Sequence, residues 1–263
     1  MGSEGLKKLF KKSFDISETC APARWCAMGD SISFGAISLL KNGKWITSWD
    51  YKTEGWTYKL AEMMGWKLTT RAIRGTGYMH HHTNNGIAVK DAAWNVAEKI
   101  ASETKDGVRG FNKFDIVTLM YGVNDWAYNA QKLGNLNDSV KNPVTFVGGM
   151  RKTIETILES NPLCKIYVIT PLNRMGTVAK NISLTEGNNW ALGYKKTNMG
   201  TLEDVFCAIQ SVCEYYGIEM IDMTHSSIVN RKSLPYCLPD NTHPTKETHT
   251  ILARELCEKI KFR

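Results

Sequence analysis

Five short apolar segments of strand length recur along the chain, each followed by a segment with helical spacing of its apolar residues. The strand candidates are Arg24 to Met28, Trp66 to Ile73, Phe114 to Tyr121, Lys165 to Thr170 and Ile218 to Met223. Between and after them, helical periodicity covers Gly55 to Met64, Val89 to Ile100, about Val144 to Ser160, Thr201 to Tyr216 and Lys246 to Lys261. Regular alternation of this kind predicts an α/β domain in three layers, a five-stranded parallel sheet with helices on both faces. Continuous apolar runs such as Phe114 to Tyr121 suit central strands buried on both sides. One interruption stands out. Lys41-Asn42-Gly43-Lys44 lies between apolar residues of Ile37 to Trp49, which predicts a small hairpin inserted after the first strand.

At 263 residues and 43% hydrophobic content, the chain is long enough for one large core. No linker or repeat divides it, so the expectation is an N-terminal extension over residues 1–22 and one domain over 23–263. The formal net charge of +7 comes from lysines and arginines dispersed among Asp and Glu, a solvated surface rather than a nucleic-acid track. Lys7, Lys8, Lys11 and Lys12 are the densest basic stretch, interleaved with Leu6, Phe10 and Phe14. It reads as a frayed terminus or the stub of a longer chain before a membrane-surface helix. No run is long enough for a membrane span, stable membrane insertion is not expected, and no signal peptide is recognised. The seven cysteines are odd in number and lack any Cys-x-x-Cys pair, so they read as small apolar residues of a reduced protein.

Active sites of open parallel sheets form beyond the C-terminal ends of the strands. Four short blocks fall there or just before the last helix. Gly29-Asp30-Ser31 follows the first strand, Gly75 and Gly77 the second, and Gly122-Val123-Asn124-Asp125 the third. Asp240-Asn241-Thr242-His243 precedes the last helix. Alone, each is better read as an ordinary turn or cap. Together they supply a hydroxyl, a base, a carboxylate spaced to orient that base, and oxyanion donors. The long connections Trp126 to Pro143 and Leu172 to Gly200 are expected to border the same site. Trp45, Trp49, Trp126 and Trp190 are then candidates either to stack on sugar rings or to cap the core. His80-His81-His82 invites a metal reading, but consecutive strand residues point to opposite sides, so an active-site rim or solvated loop is favoured.

The order of these blocks resembles that of the SGNH (GDSL-like) hydrolases, in which Ser, Gly, Asn and His occur in that chain order. The resemblance runs from about Trp25 to the C-terminus. It departs at Ile32, where many members have Leu, and at Thr70-Arg71, where the usual upstream Asn is missing. That second departure leaves Gly75 and Gly77 as alternatives, with Gly75 preferred by register. The resemblance implies a flavodoxin-like fold and a serine ester hydrolase with catalytic Ser31, His243 and Asp240, and an oxyanion hole of Ser31, Gly75 and Asn124. It implies no metal or organic cofactor. Asp30, Trp126, Trp45 and His80 are the expected substrate contacts, and a small-molecule or glycan ester the expected partner. Removal of acetyl or another short acyl group from a carbohydrate is the preferred activity. A lysophospholipase, a general short-chain esterase or thioesterase, and a non-catalytic glycan-binding module are the alternatives. The basic N-terminal stretch is compatible with a module of a larger surface-acting or phage-tail protein.

Overall fold

The computed structural model describes residues 21–50, 52–82, 88–89, 91–128, 132–174, 197–226, 228–230 and 232–260. The basic N-terminal stretch, Cys20, Trp190 and most of the connection after Leu172 lie outside them. Five parallel strands form the central sheet: β1 (Arg24–Gly29), β4 (Lys67–Thr70), β5 (Ile116–Met120), β6 (Lys165–Ile169) and β7 (Glu219–Ile221). Their spatial order is β7-β6-β5-β1-β4, with Trp25 opposite Ile116 and Gly29 opposite Met120. This is the flavodoxin-like order, whose direction of winding reverses between β1 and β5. The inserted ribbon is β2 (Ile37–Lys41) paired antiparallel with β3 (Lys44–Ser48), closed at Asn42-Gly43 as expected.

Period-two alternation explains the layers. Cys26 and Met28 of β1 pack on one face with Val117, Leu119, Ile166 and Val168. Helices α3 (Ala93–Ser102), α5 (Phe146–Ser160) and α6 (Leu202–Tyr216) cover that face with Val96, Ile154 and Val205. Trp25 and Ala27 point the other way with Ile116, Tyr167 and Ile169. There α2 (Trp56–Met64) and α7 (Lys246–Lys259) bring Leu60, Leu252 and Leu256. Each such fully buried aliphatic side chain contributes about 1.5–3 kcal/mol. Two faces of this kind are what a sheet with near-continuous apolar strands requires.

Caps set the helix boundaries. Thr145 Oγ1 accepts from Gly148 N at 3.1 Å, so α5 starts at Phe146 and the expected first residue, Val144, stays outside and exposed. Thr201 and Asp204 cap α6 reciprocally, as their spacing predicts. The second strand ends at Thr70, short of Ile73, although Arg71 N and Ile73 N still donate to Ala27 and Gly29. Among the described cysteines none is bridged; four are buried, whereas Cys207 is exposed and Cys257 half-buried, contrary to a wholly internal role. No helix among the described residues is long and apolar enough to cross a membrane.

Candidate active site

β1 delivers Gly29 to the switch point of the sheet, and the chain turns into the short helix α1 (Ser31–Phe34). Asp30 caps that helix, its Oδ1 accepting from Ile32 N at 2.9 Å. Ser31 is thereby held at a helix N-terminus, 5% exposed. Across the sheet end, Asp240-Asn241-Thr242-His243 makes a tight turn with Asn241 in the left-handed region, at φ 64°. Asp240 Oδ1 accepts from Thr242 N at 2.9 Å and His243 N at 2.6 Å. Its Oδ2 meets His243 Nδ1 at 2.7 Å, and His243 Nε2 lies 3.1 Å from Ser31 Oγ.

These distances fix the proton inventory. A carboxylate beside Nδ1 places the ring hydrogen there and leaves Nε2 as the acceptor for the Ser31 hydroxyl. Burial alone would raise the Asp240 pKa; hydrogen bonds and charge from His243, with two backbone N–H groups, outweigh it and hold the carboxyl well below the usual range. Asp240 is therefore an anion across the neutral pH range. The arrangement can take a proton from Ser31 and stabilise the imidazolium that results.

The block after β4 is clasped by the block after β5. Helix α4 (Val123–Tyr128) starts at the end of β5 and carries Asn124 and Asp125, both buried. Asp125 accepts from Tyr78 N at 3.0 Å and Met79 N at 2.9 Å. Burial pushes its carboxyl up to about 6 against the pull of those N–H groups. A Cβ on Gly77 would collide with this carboxyl, so Gly77 is required for close packing. Gly75 is half-buried instead, with φ 75°, on the outer part of the same loop. Asn124 Nδ2 donates to Thr76 O at 2.8 Å, and its second hydrogen has only the 3.4 Å contact with Asp30 Oδ2. One amide hydrogen is thus committed to holding the loop and one is weakly held.

Ser31, His243 and Asp240 are in direct contact, and Asn124 borders them through Asp30. The expected substrate contacts fare differently. Asp30 is 1% exposed and acts as a cap; burial pushes its carboxyl up to about 7, against the pull of the Ile32 N–H. Trp126 is fully buried because Val123 to Tyr128 is a helix and not the start of a polar loop, so its indole faces the core. Both side chains are enclosed by protein. His80 packs edge-on against Trp94 with ring centroids 5.2 Å apart, and so is half-buried rather than a free rim. His81 and His82 pair as a short strand with Ala88 and Val89. Trp45 stands 45% exposed on β3.

The hairpin does more than its sequence suggests. Thr47 Oγ1 donates to Asp240 Oδ2 at 2.9 Å and lies 3.2 Å from His243 Nδ1. Ser38 N donates to Pro244 O at 3.0 Å, docking the ribbon on the turn that carries His243. Beyond Thr47, Trp49 sits edge-on to His243 at 5.7 Å. The Arg74 guanidinium covers both Trp49, at 4.5 Å, and Phe34, at 5.0 Å. Only the insertion itself signals Thr47 in the sequence.

The model of the GDSL-like lipase/acylhydrolase family matches residues 27–251. Among curated proteins no sequence matches. Similar solved structures include a possible lipase from Chitinophaga pinensis, 21% identical with a TM-score of 0.58, covering 90% of this chain and 97% of its own. A carbohydrate acetylesterase from Sinorhizobium meliloti is 16% identical, with a TM-score of 0.56 and coverage of 90% and 97%. An aryl esterase from M. smegmatis, solved with an inhibitor, is 14% identical at a TM-score of 0.56, again covering 90% and 97%. At these identities the likeness is one of fold.

Proposed function

Since the chain belongs to the GDSL-like lipase/acylhydrolase family, we propose that it is a serine ester hydrolase in which Ser31, His243 and Asp240 form the triad. The observation that carries this reading is the chain of contacts from Ser31 Oγ to His243 Nε2 at 3.1 Å and from His243 Nδ1 to Asp240 Oδ2 at 2.7 Å. Ser31 Oγ attacks the ester carbonyl carbon while His243 takes the hydroxyl proton. The carbonyl oxygen becomes an oxyanion, held by the Ser31 and Gly75 backbone N–H groups and the weakly engaged hydrogen of Asn124. His243 then gives its proton to the departing alcohol, and the acyl group stays on Ser31. Water, deprotonated by His243, repeats the attack and releases the acid.

For the substrate we propose acetyl or another short acyl ester of a carbohydrate. The Phe34, Trp49 and Arg74 stack beside His243 offers an aromatic and cationic wall on which a sugar ring can rest. The carbohydrate acetylesterase among the similar structures supports the same reading. The test is hydrolysis of nitrophenyl esters of increasing acyl length beside acetylated sugars, by the wild type and Ser31→Ala. Acetyl esters are expected to turn over fastest, with Ser31→Ala at background. Wild-type rates no higher than those of the mutant on every ester sink the hydrolase reading. Best turnover of long acyl chains removes the carbohydrate preference alone.

A further inference from the structure

Arg174 is a buried charged side chain with no part in the hydrolytic steps. Beyond β6 the chain runs through Thr170, Pro171, Leu172 and Asn173, all buried, to Arg174, which is 6% exposed. The guanidinium lies 5.9 Å from the centroid of the Trp126 ring, and its Nε has no hydrogen-bond partner. Next to it in the chain, Asn173 is 4% exposed and its Oδ1 is also without a partner. No ion pair to Arg174 is found among the described residues. Following the C-terminal end of β6, Arg174 lies at the same end of the sheet as Ser31; its charge acts on Asp30, and Tyr128, Asp240 and Asp30 act on it in that order.

An unpaired buried cation costs several kcal/mol, and each buried polar atom without a partner about 1–3 kcal/mol more. Burial accordingly pulls the Arg174 pKa down. A fold retains such a group at its reactive end when something bound there offsets the cost. Neither nearby carboxyl is paired with the guanidinium: the Asp240 carboxylate is engaged by Thr47, Thr242 and His243, and burial pushes the Asp30 carboxyl up to about 7. Trp126 borders the guanidinium at the outer edge of cation–π range, and the planar fork of an arginine matches a carboxylate with two parallel bonds.

From this geometry we infer that Asn173 and Arg174 form a subsite that recognises a carboxylate carried by the ester substrate. The inference rests on the esterase reading for the identity of the ligand as a substrate. Arg174 pairs with the carboxylate and Asn173 Oδ1 accepts from a hydroxyl next to it. Two halves of an ester can carry that group: the acyl half, in a half-ester of a dicarboxylic acid, or the alcohol half, in an acylated uronic acid.

Matched pairs separate them. Mono-4-nitrophenyl succinate is compared with 4-nitrophenyl butyrate, and acetylated glucuronic acid with acetylated glucose, using the wild type and Arg174→Met. In one pair the wild type is expected to favour the anionic member by about tenfold or more in kcat/KM, mainly through KM, and Arg174→Met to abolish that preference. The pair that responds names the half of the ester. No preference in either pair, or a preference that survives in Arg174→Met, overturns the subsite. A second measurement is independent of whether Arg174→Met folds and of turnover. Ser31→Ala, titrated by calorimetry, is expected to bind succinate or glucuronate but not butyramide or glucose; binding of neither anion also overturns the subsite. Anion binding in a protein whose wild type hydrolyses no ester removes the esterase reading and leaves the subsite standing.

Discussion

The chain contains two Asp-x-x-His turns, Asp240 to His243 and Asp222 to His225, and they share their local geometry. In each, the carboxylate accepts from the backbone N of its histidine, at 2.6 Å and 2.9 Å, and meets Nδ1, at 2.7 Å and 2.9 Å. They part at the far ring nitrogen. His243 Nε2 faces the neutral hydroxyl of Ser31, whereas His225 Nε2 lies 3.0 Å from the Glu203 carboxylate. Burial works against charge on His225, but bonds from Asp222 and Glu203 prevail and raise its pKa, so both its nitrogens are donors more of the time. A histidine bracketed by carboxylates carries its second proton more of the time, and its Nε2 faces an anion in place of a nucleophile's hydroxyl. Three-residue spacing therefore builds an oriented imidazole, and the partner of Nε2 decides whether it is placed to accept a hydroxyl proton or to pair with a second carboxylate.

The strongest way to break this comparison is to remove each ring in turn. His243→Ala is expected to lower kcat/KM on an acetyl ester by about 10⁴-fold, because Ser31 loses its proton acceptor. His225→Ala is expected to stay within about twofold of the wild type, as for a surface side chain outside the reaction path. Steady-state kinetics on both variants check the pair. Equal losses would show that Asp222 and His225 belong to the reaction.

Thr47 sharpens the comparison from the other side, since only Asp240 receives its hydroxyl. The Asp240 carboxylate keeps two backbone donors and the His243 ring without it, so the effect is smaller. Thr47→Val is expected to reduce kcat by about two- to tenfold with KM nearly constant, the range of one net hydrogen bond. Thr47→Ser is expected to restore most of the rate. A fall in Thr47→Ser equal to that in Thr47→Val would assign the loss to packing of the hairpin instead of orientation of Asp240.

The two turns also show what the sequence makes legible. Apolar runs reveal the five strands because both faces of the sheet are covered, and Thr201 with Asp204 marks its helix start by side-chain chemistry that is local in sequence. The blocks at strand ends are legible for the same reason, as β1 and β5 place Ser31 and Asn124 directly. Asp-x-x-His alone does not distinguish its two copies; the position before the last helix does. Long-range contacts are the part that stays hidden. Thr47 reaches Asp240 across 193 residues, and no spacing rule connects a hairpin threonine to a turn near the C-terminus. Trp126 reads as a loop aromatic because six residues are too few for helical periodicity to emerge, yet that short helix turns its indole inward.

The smallest expected effect concerns stability rather than rate. The folded pKa of His225 lies above its unfolded value, so its pairing stabilises the protein fully below about pH 6.5 and ceases to do so as the pH rises through the folded value. Its side chain is 37% exposed, and solvent screening limits the contribution to under about 1 kcal/mol. Buried His249 slopes the other way. It accepts from Trp56 N and meets Ala36 O, and burial pulls its pKa down to about 4, so it costs stability as the pH falls from about 6.5 toward 4. The two histidines oppose each other in the wild-type curve. The difference between wild type and His225→Gln removes the His249 contribution, and denaturant unfolding is expected to show that difference larger at pH 6 than at pH 8.5. A difference that is constant with pH would mean that Asp222 and Glu203 hold His225 by shape alone, and that charge does not separate the two turns.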